Sequence, residues 1–150
     1  MNAVLVLHGP NLDLQGEREP AVYGSMSLDE INRRLIEGGR ELGLEVRCLQ
    51  SNHEGALIEA LHEARKWASG VVFNPAGYTH TSVALRDAVS ALPIPVVEDH
   101  LSNVYAREDF RLVSLIAPVC AGRIVGLGWR SYLLGLRAIS DILAERGRRP

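Results

Sequence analysis

Residues 4–24 read Val4-Leu5-Val6-Leu7-His8-Gly9-Pro10-Asn11-Leu12-Asp13-Leu14-Gln15-Gly16-Glu17-Arg18-Glu19-Pro20-Ala21-Val22-Tyr23-Gly24. A short, continuous apolar run of this kind suits a strand buried on both faces, as in a parallel sheet. It leads straight into a polar loop, residues 8–24, that holds three glycines, two prolines, one asparagine, one arginine and one tyrosine. The loop is long for a compact domain, and long ordered loops are usually functional. A helix start follows at Ser27-Leu28-Asp29-Glu30, where a serine N-cap has a glutamate three residues on. Strand, long polar loop and capped helix together predict the first unit of an α/β fold.

The same unit recurs down the chain. Strand one is expected at about residues 3–8. Helix one carries Leu28, Ile31, Leu35 and Leu42 at helical spacing and stops at Gly43. Strand two is expected at 45–50. Ser51-Asn52-His53-Glu54 offers a second capping box, and Leu57, Leu61 and Ala64 mark the inner stripe of the helix after it. Strand three is Val71-Val72-Phe73, ending at Asn74-Pro75. A loop over residues 76–81 leads to a helix from Ser82 to about Leu92, stopped by Pro93. Strand four is expected at 94–97, a short helix at about 103–111, strand five at 123–127, and a final helix at about 129–145 with Tyr132, Leu136, Ile139 and Leu143 on one stripe. Five strands alternating with helices predict a three-layer α/β domain with a parallel sheet. No repeat, low-complexity segment or internal boundary divides it, so residues 1–150 are expected to be one catalytic domain, with 146–150 a frayed tail.

Composition bounds the function. The chain has 150 residues, 47% apolar and 23% charged, with a formal net charge of −2. That balance is globular and gives no basic footprint for nucleic acid or an anionic membrane. No apolar run nears the roughly 20 residues that span a bilayer. The N-terminus lacks the basic and apolar regions of a signal peptide. Cys48 and Cys120 form no C-x-x-C and read as free thiols, which predicts a cytoplasmic location. Lys66 is the only lysine.

In open α/β sheets, ligands bind outside the carboxyl ends of the strands. The polar residues fall there: Asn11, Arg18 and Tyr23 after strand one; Asn74, Tyr78 and His80 after strand three; Glu98, Asp99, His100, Ser102 and Asn103 after strand four. Glu98 and His100 are two apart in an extended segment and point the same way. They read either as a general acid/base histidine oriented by a carboxylate or as a solvated loop pair. Arg107 and Arg111 stand four apart on the expected short helix, either facing an anionic ligand or forming surface ion pairs. Tyr23 either packs or is a base whose phenolate Arg18 stabilises, since an unassisted tyrosine titrates near pH 10. His8 reads as structural, and His53 and His62 as structural or solvent-facing. No His/Cys spacing supports a metal site, and the loop matches neither the dinucleotide fingerprint nor a P-loop. There is no G-x-S-x-G elbow.

Four motifs taken together resemble the type II 3-dehydroquinate dehydratases (type II dehydroquinases). They are Gly9-Pro10-Asn11-Leu12 with Gly16-x-Arg18-Glu19-Pro20-x-x-Tyr23-Gly24; Gln50-Ser51-Asn52-His53-Glu54-Gly55; Asn74-Pro75 with Tyr78-Thr79-His80-Thr81-Ser82; and Glu98-x-His100-x-Ser102-Asn103 with Arg107-Glu108-x-Phe110-Arg111. The resemblance covers about residues 4–140. It implies a flavodoxin-like fold that removes water from 3-dehydroquinate through an enolate to give 3-dehydroshikimate, with no cofactor and no metal. It implies Tyr23 as base, Arg18 as its activator, Asn11 as holder of a water at the enolate oxygen, and His100 as the acid oriented by Glu98. Arg107 would add to the positive field, Asn74, Leu101 and Ser102 would hold the carboxylate region, and His80, Asp87 and Arg111 would read the ring hydroxyls. It also implies a homododecamer built of trimers, in which Asp87 reaches a neighbouring subunit's site. The chain departs from the family pattern at His8 and Asp13, where Asn is frequent, at Gln15, where Leu is frequent, and at Ala76-Gly77, where Gly-Ala is expected. A non-catalytic module that kept the pocket, and another lyase or hydrolase using the same His–Glu pair, are the competing readings.

Overall fold

The computed structural model describes residues 1–23 and 25–148, with the side chain of Tyr23 outside that description. In chain order its elements are β1 (Asn2–His8), α1 (Pro20–Tyr23), α2 (Leu28–Glu41), β2 (Leu44–Gln50), α3 (Glu54–Trp67), β3 (Gly70–Asn74), α4 (Val83–Ser90), β4 (Val96–His100), β5 (Gly122–Val125) and α5 (Arg130–Gly147). The strands form one parallel sheet in the order β2-β1-β3-β4-β5. This is the flavodoxin-like order, whose ligand crevice opens where β1 and β3 send their connections to opposite sides.

Strand alternation builds the three layers. On β1, Val4 and Val6 turn to one face and pack with Ile31 and Leu35 of α2 and Leu136 and Ile139 of α5. Leu5 and Leu7 turn to the other face and pack with Leu57 and Leu61 of α3 and Leu85 of α4. All eleven side chains are essentially inaccessible to water, and burying each stabilises the fold by roughly 1.5–3 kcal/mol. Gly9 is required where β1 ends. A Cβ there would sit 2.6 Å from the Pro75 carbonyl oxygen, because the Gly9 amide donates to the Asn74 carbonyl at 2.8 Å.

The serine cap of the first capping box forms, with the Glu30 amide donating to Ser27 Oγ at 3.2 Å, while the Glu30 carboxylate bonds Arg33 and Arg34. The second does not. Ser51 Oγ instead accepts from the His53 amide at 3.0 Å, a local turn, and α3 starts from His53 without a side-chain cap. β4 lies further along than 94–97, because Glu98, Asp99 and His100 keep pairing with β5 as strand residues. The expected helix at 103–111 is instead two 3-10 turns, Val104–Ala106 and Asp109–Leu112. Extended backbone at Arg107 separates them, so Arg107 and Arg111 do not share a helix face. The final helix continues past Glu145 to Gly147.

Candidate active site

The carboxyl ends of β1, β3 and β4 open into one cavity of about 120 Å³. Nine of the residues singled out from the sequence line it: Asn11, Arg18, Asn74, His80, His100, Leu101, Ser102, Arg107 and Arg111. Glu98 lies directly behind His100. Asp87 does not line this cavity; it is exposed on α4. Tyr23 ends α1 on the loop that carries Arg18, but its side chain lies outside the described residues.

Glu98 and His100 are buried within β4, which overturns the solvated-loop alternative. Glu98 Oε2 accepts from His100 Nε2 at 2.8 Å and from Arg123 Nε at 2.5 Å. Its Oε1 accepts from Ser114 Oγ at 2.5 Å. Burial pushes the Glu98 carboxyl up, but the bonds from His100 and Ser114 and the charge of Arg123 outweigh it and hold Glu98 below its ordinary range. A carboxylate that accepts only can pair with a neutral imidazole only if Nε2 carries the hydrogen. The other ring nitrogen, Nδ1, is then the one left to act. Burial, opposed by Glu98 and aided by Arg123 and His80, holds His100 below its ordinary value of 6.5. Thr79 Oγ1 lies 3.3 Å from His100 Nε2.

A second buried chain runs under Asn74. Asn74 Nδ2 donates to the Tyr132 hydroxyl at 2.9 Å. The hydroxyl then donates to His8 Nδ1 at 2.9 Å, and His8 Nε2 donates to Asn32 Oδ1 at 2.8 Å. His8 is therefore structural and neutral. Burial lowers it to about 4. Asn74 Oδ1 accepts from the Ala76 amide at 3.0 Å. Each amide group of Asn74 so spends one bond on the protein and keeps one for the cavity. Ala76 has left-handed backbone at φ 54. Glycine, which the family pattern has at this position, takes that conformation without the cost of roughly 1–2 kcal/mol that other residues bear.

The base of the loop is fixed. The Asn11 amide donates to Asn52 Oδ1 at 2.9 Å, and Gln50 Nε2 bonds both the Gly9 carbonyl and Asn52 Oδ1 at 3.1 Å. Leu12 and Gln15 are buried. Asn11 itself has φ 68, a conformation that asparagine tolerates. Across the cavity, His80 Nδ1 donates to the Val113 carbonyl at 2.7 Å, leaving Nε2 as its other polar atom. Arg107 donates to Ser102 Oγ at 3.3 Å. Arg111 bonds Glu108 at 2.5 Å while also lining the cavity, so both readings of that arginine hold. Tyr78 turns aside to bond the Asn52 carbonyl. Asp99 points through the sheet to the opposite face. Ser114, Arg123 and Tyr132 were not singled out from the sequence as site residues, and nothing in their local pattern marks them. Among the described residues, no group of three His, Cys, Asp or Glu side chains is arranged to hold a metal ion.

Comparison with known proteins follows the same outline. The family profile described as "Dehydroquinase class II" matches residues 2–140. A 3-dehydroquinate dehydratase of Pelotomaculum thermopropionicum is 60% identical over 139 residues, covering 93% of this chain and 96% of that protein. One from Ruegeria pomeroyi is 54% identical over 149 residues, covering 99% and 100%. The crystal structure of the type II dehydroquinase from Propionibacterium acnes superposes with a TM-score of 0.91 at 41% identity, covering 94% of this chain and 97% of that one.

Proposed function

The chain belongs to the class II dehydroquinase family, and from that premise we propose how its own residues remove water from 3-dehydroquinate. The enzyme is a hydro-lyase that yields 3-dehydroshikimate, a step of the shikimate route to aromatic compounds. The observation that carries the residue assignment is the buried Glu98–His100 pair at a cavity that Arg18, Arg107 and Arg111 also line. Three guanidinium groups suit a carboxylate substrate and a reaction that develops negative charge on oxygen.

Tyr23, as phenolate, takes the proton alpha to the ketone. Arg18, on the same loop, favours that phenolate. The electron pair moves onto the carbonyl oxygen as an enolate, and Asn11 holds the water that stabilises it. Collapse of the enolate forms the ring double bond and expels the C1 hydroxyl, which takes a proton from His100 Nδ1 and leaves as water. The negative charge of the bound substrate favours the imidazolium of His100, so that form is available when the hydroxyl leaves. Each positioned acid or base contributes about 10²–10⁴-fold. Asn74 and the Leu101–Ser102 segment hold the carboxylate region, and His80 and Arg111 read the ring hydroxyls. His80 Nε2 suits this role because Nδ1 is already committed to Val113.

The same reading makes the enzyme a homododecamer of trimers in the cytoplasm. It is supported by Asp87, exposed and away from its own cavity, and by two free cysteines. Light scattering on the purified protein tests the assembly, and a monomer would count against it.

Appearance of the enone absorbance on adding 3-dehydroquinate tests the reaction. Tyr23→Phe is expected to abolish turnover while the substrate still binds; a fully active variant would sink the phenolate assignment. His100→Ala is expected to block elimination yet leave alpha-proton exchange with solvent.

A further inference from the structure

β4 and β5 pair in register with Glu98 directly opposite Arg123. Arg123 Nε donates to Glu98 Oε2, the same oxygen that receives His100 Nε2. The other oxygen is held by Ser114, whose own Oγ is fixed by the amides of Ile116 and Ala117. Arg123 is 15% exposed and Glu98 0%, and Arg123 does not line the cavity. It reaches the site only through Glu98.

We propose that Arg123 is a positioning residue for the elimination: paired with Glu98 from the neighbouring strand, it keeps Glu98 an anionic acceptor aimed at His100 Nε2, and so leaves His100 Nδ1 as the nitrogen that acts on the substrate. The inference rests on His100 being the acid of the reaction proposed above.

Two physical points support it. A lone carboxylate at full burial takes up a proton, and a protonated Glu98 could donate to His100 and reverse its tautomer. Arg123 supplies the compensating charge that prevents this. Second, Arg123 Nη2 is buried and meets no hydrogen-bond acceptor among the described residues. A buried donor left unpaired costs stability. Here the guanidinium is committed to the carboxylate through Nε.

The charge of Arg123 also weakens the hold of Glu98 on an imidazolium, which makes protonated His100 a stronger acid. The other groups that bear on the pair are Asp99 between them on β4, His80 and Thr79 on the turn after β3, Cys120 before β5, and the cavity arginines Arg18, Arg107 and Arg111. Arg123 is the one cation bonded to Glu98 among the described residues.

Arg123→Met and Arg123→Lys test this, with kcat and KM followed against pH and the His100 imidazole titrated by NMR in the unliganded enzyme. His100→Ala identifies the resonance. In Arg123→Met the His100 midpoint is expected to rise by about one pH unit. Its kcat should fall about tenfold or more with KM within about twofold, and Arg123→Lys should restore most of the midpoint. A folded Arg123→Met with unchanged midpoint and pH profile would overturn the proposal. So would a lysine variant no closer to wild type than the methionine one. If Arg123→Met does not fold, Arg123→Gln takes its place: a raised midpoint with lowered kcat supports the role, and an unchanged midpoint and pH profile overturns it. An inactive wild type whose His100 midpoint still moves in Arg123→Met would count against the reaction while upholding the pairing.

Discussion

Glu98 and Asp99 are consecutive carboxyls on β4, and both are fully buried. Alternation along the strand sends them to opposite faces of the sheet. Glu98 meets three donors and stays ionised. Neither oxygen of Asp99 has a hydrogen-bond partner among the described residues. It backs onto α5, where a Cβ on Gly135 would lie 2.7 Å from Asp99 Oδ2. Burial, with the charge of Glu98 added, pushes the Asp99 carboxyl well above its ordinary 3.8, so it holds its proton at pH values where an exposed aspartate has lost it. Equal burial thus goes with opposite shifts. The arrangement of donors decides which carboxyl can orient a catalyst and which only costs stability.

The largest test of that contrast is Glu98→Gln. It leaves Arg123 buried beside an amide, which is expected to cost about 3–5 kcal/mol in urea unfolding. The kcat should fall about 10²–10⁴-fold as His100 loses its anchor. A variant as stable and active as wild type would erase the distinction.

Acid titration sharpens it next, through a group that is satisfied only when neutral. The folded-state value of His8, about 4, lies below its ordinary 6.5. Between those values the unfolded chain binds a proton that the folded one refuses. Stability is therefore complete above pH 6.5 and falls as pH drops toward 4, by on the order of 3 kcal/mol. His100, also lowered, adds to the same slope. His8→Asn should flatten that slope in unfolding measured against pH.

Asp99→Val reverses the sign. It removes an unpartnered carboxyl and puts a strand-favouring side chain in its place, with an expected gain of about 1–3 kcal/mol and unchanged kcat. Because the folded-state value of Asp99 is raised, wild-type stability falls as pH rises above 3.8, and the advantage of the variant should grow with pH. A gain that is flat across pH would mean that Asp99 is not held protonated. The smallest effect is expected at Arg33→Gln on α2. Arg33 bonds Glu30 at 2.6 Å, within 0.1 Å of the 2.5 Å pairing of Arg123 with Glu98, but in solvent. Its loss should leave the melting temperature unmoved.

These contrasts mark where sequence reading succeeds. The layers were legible because Val4–Leu7, Val71–Phe73 and the stripes of α2, α3 and α5 carry their periodicity locally. The site was legible because Asn11, Asn74 and His100 fall at strand ends, where the topology gathers them. Asp99 was grouped with the site because strand four appeared to stop at Val97; only continued pairing with β5 turns it to the far face. Arg123 was missed because its partner is set by strand register, and Tyr132 because it meets His8 across 124 residues of sequence. The pair Arg107 and Arg111 still reached one cavity, although the helix meant to align them is two separate turns.

β5 is an outer strand of four residues, paired on one side only, whereas the opposite edge, β2, has seven. Left-handed backbone at Gly126, Leu127 and Gly128 follows it at once. Such a segment opens at a lower free energy than the central strands. Opening it withdraws Arg123 from Glu98 while β1 and β3 remain paired. With Arg123 in the proposed role, the alignment of the acid is tied to the pairing of this short edge strand.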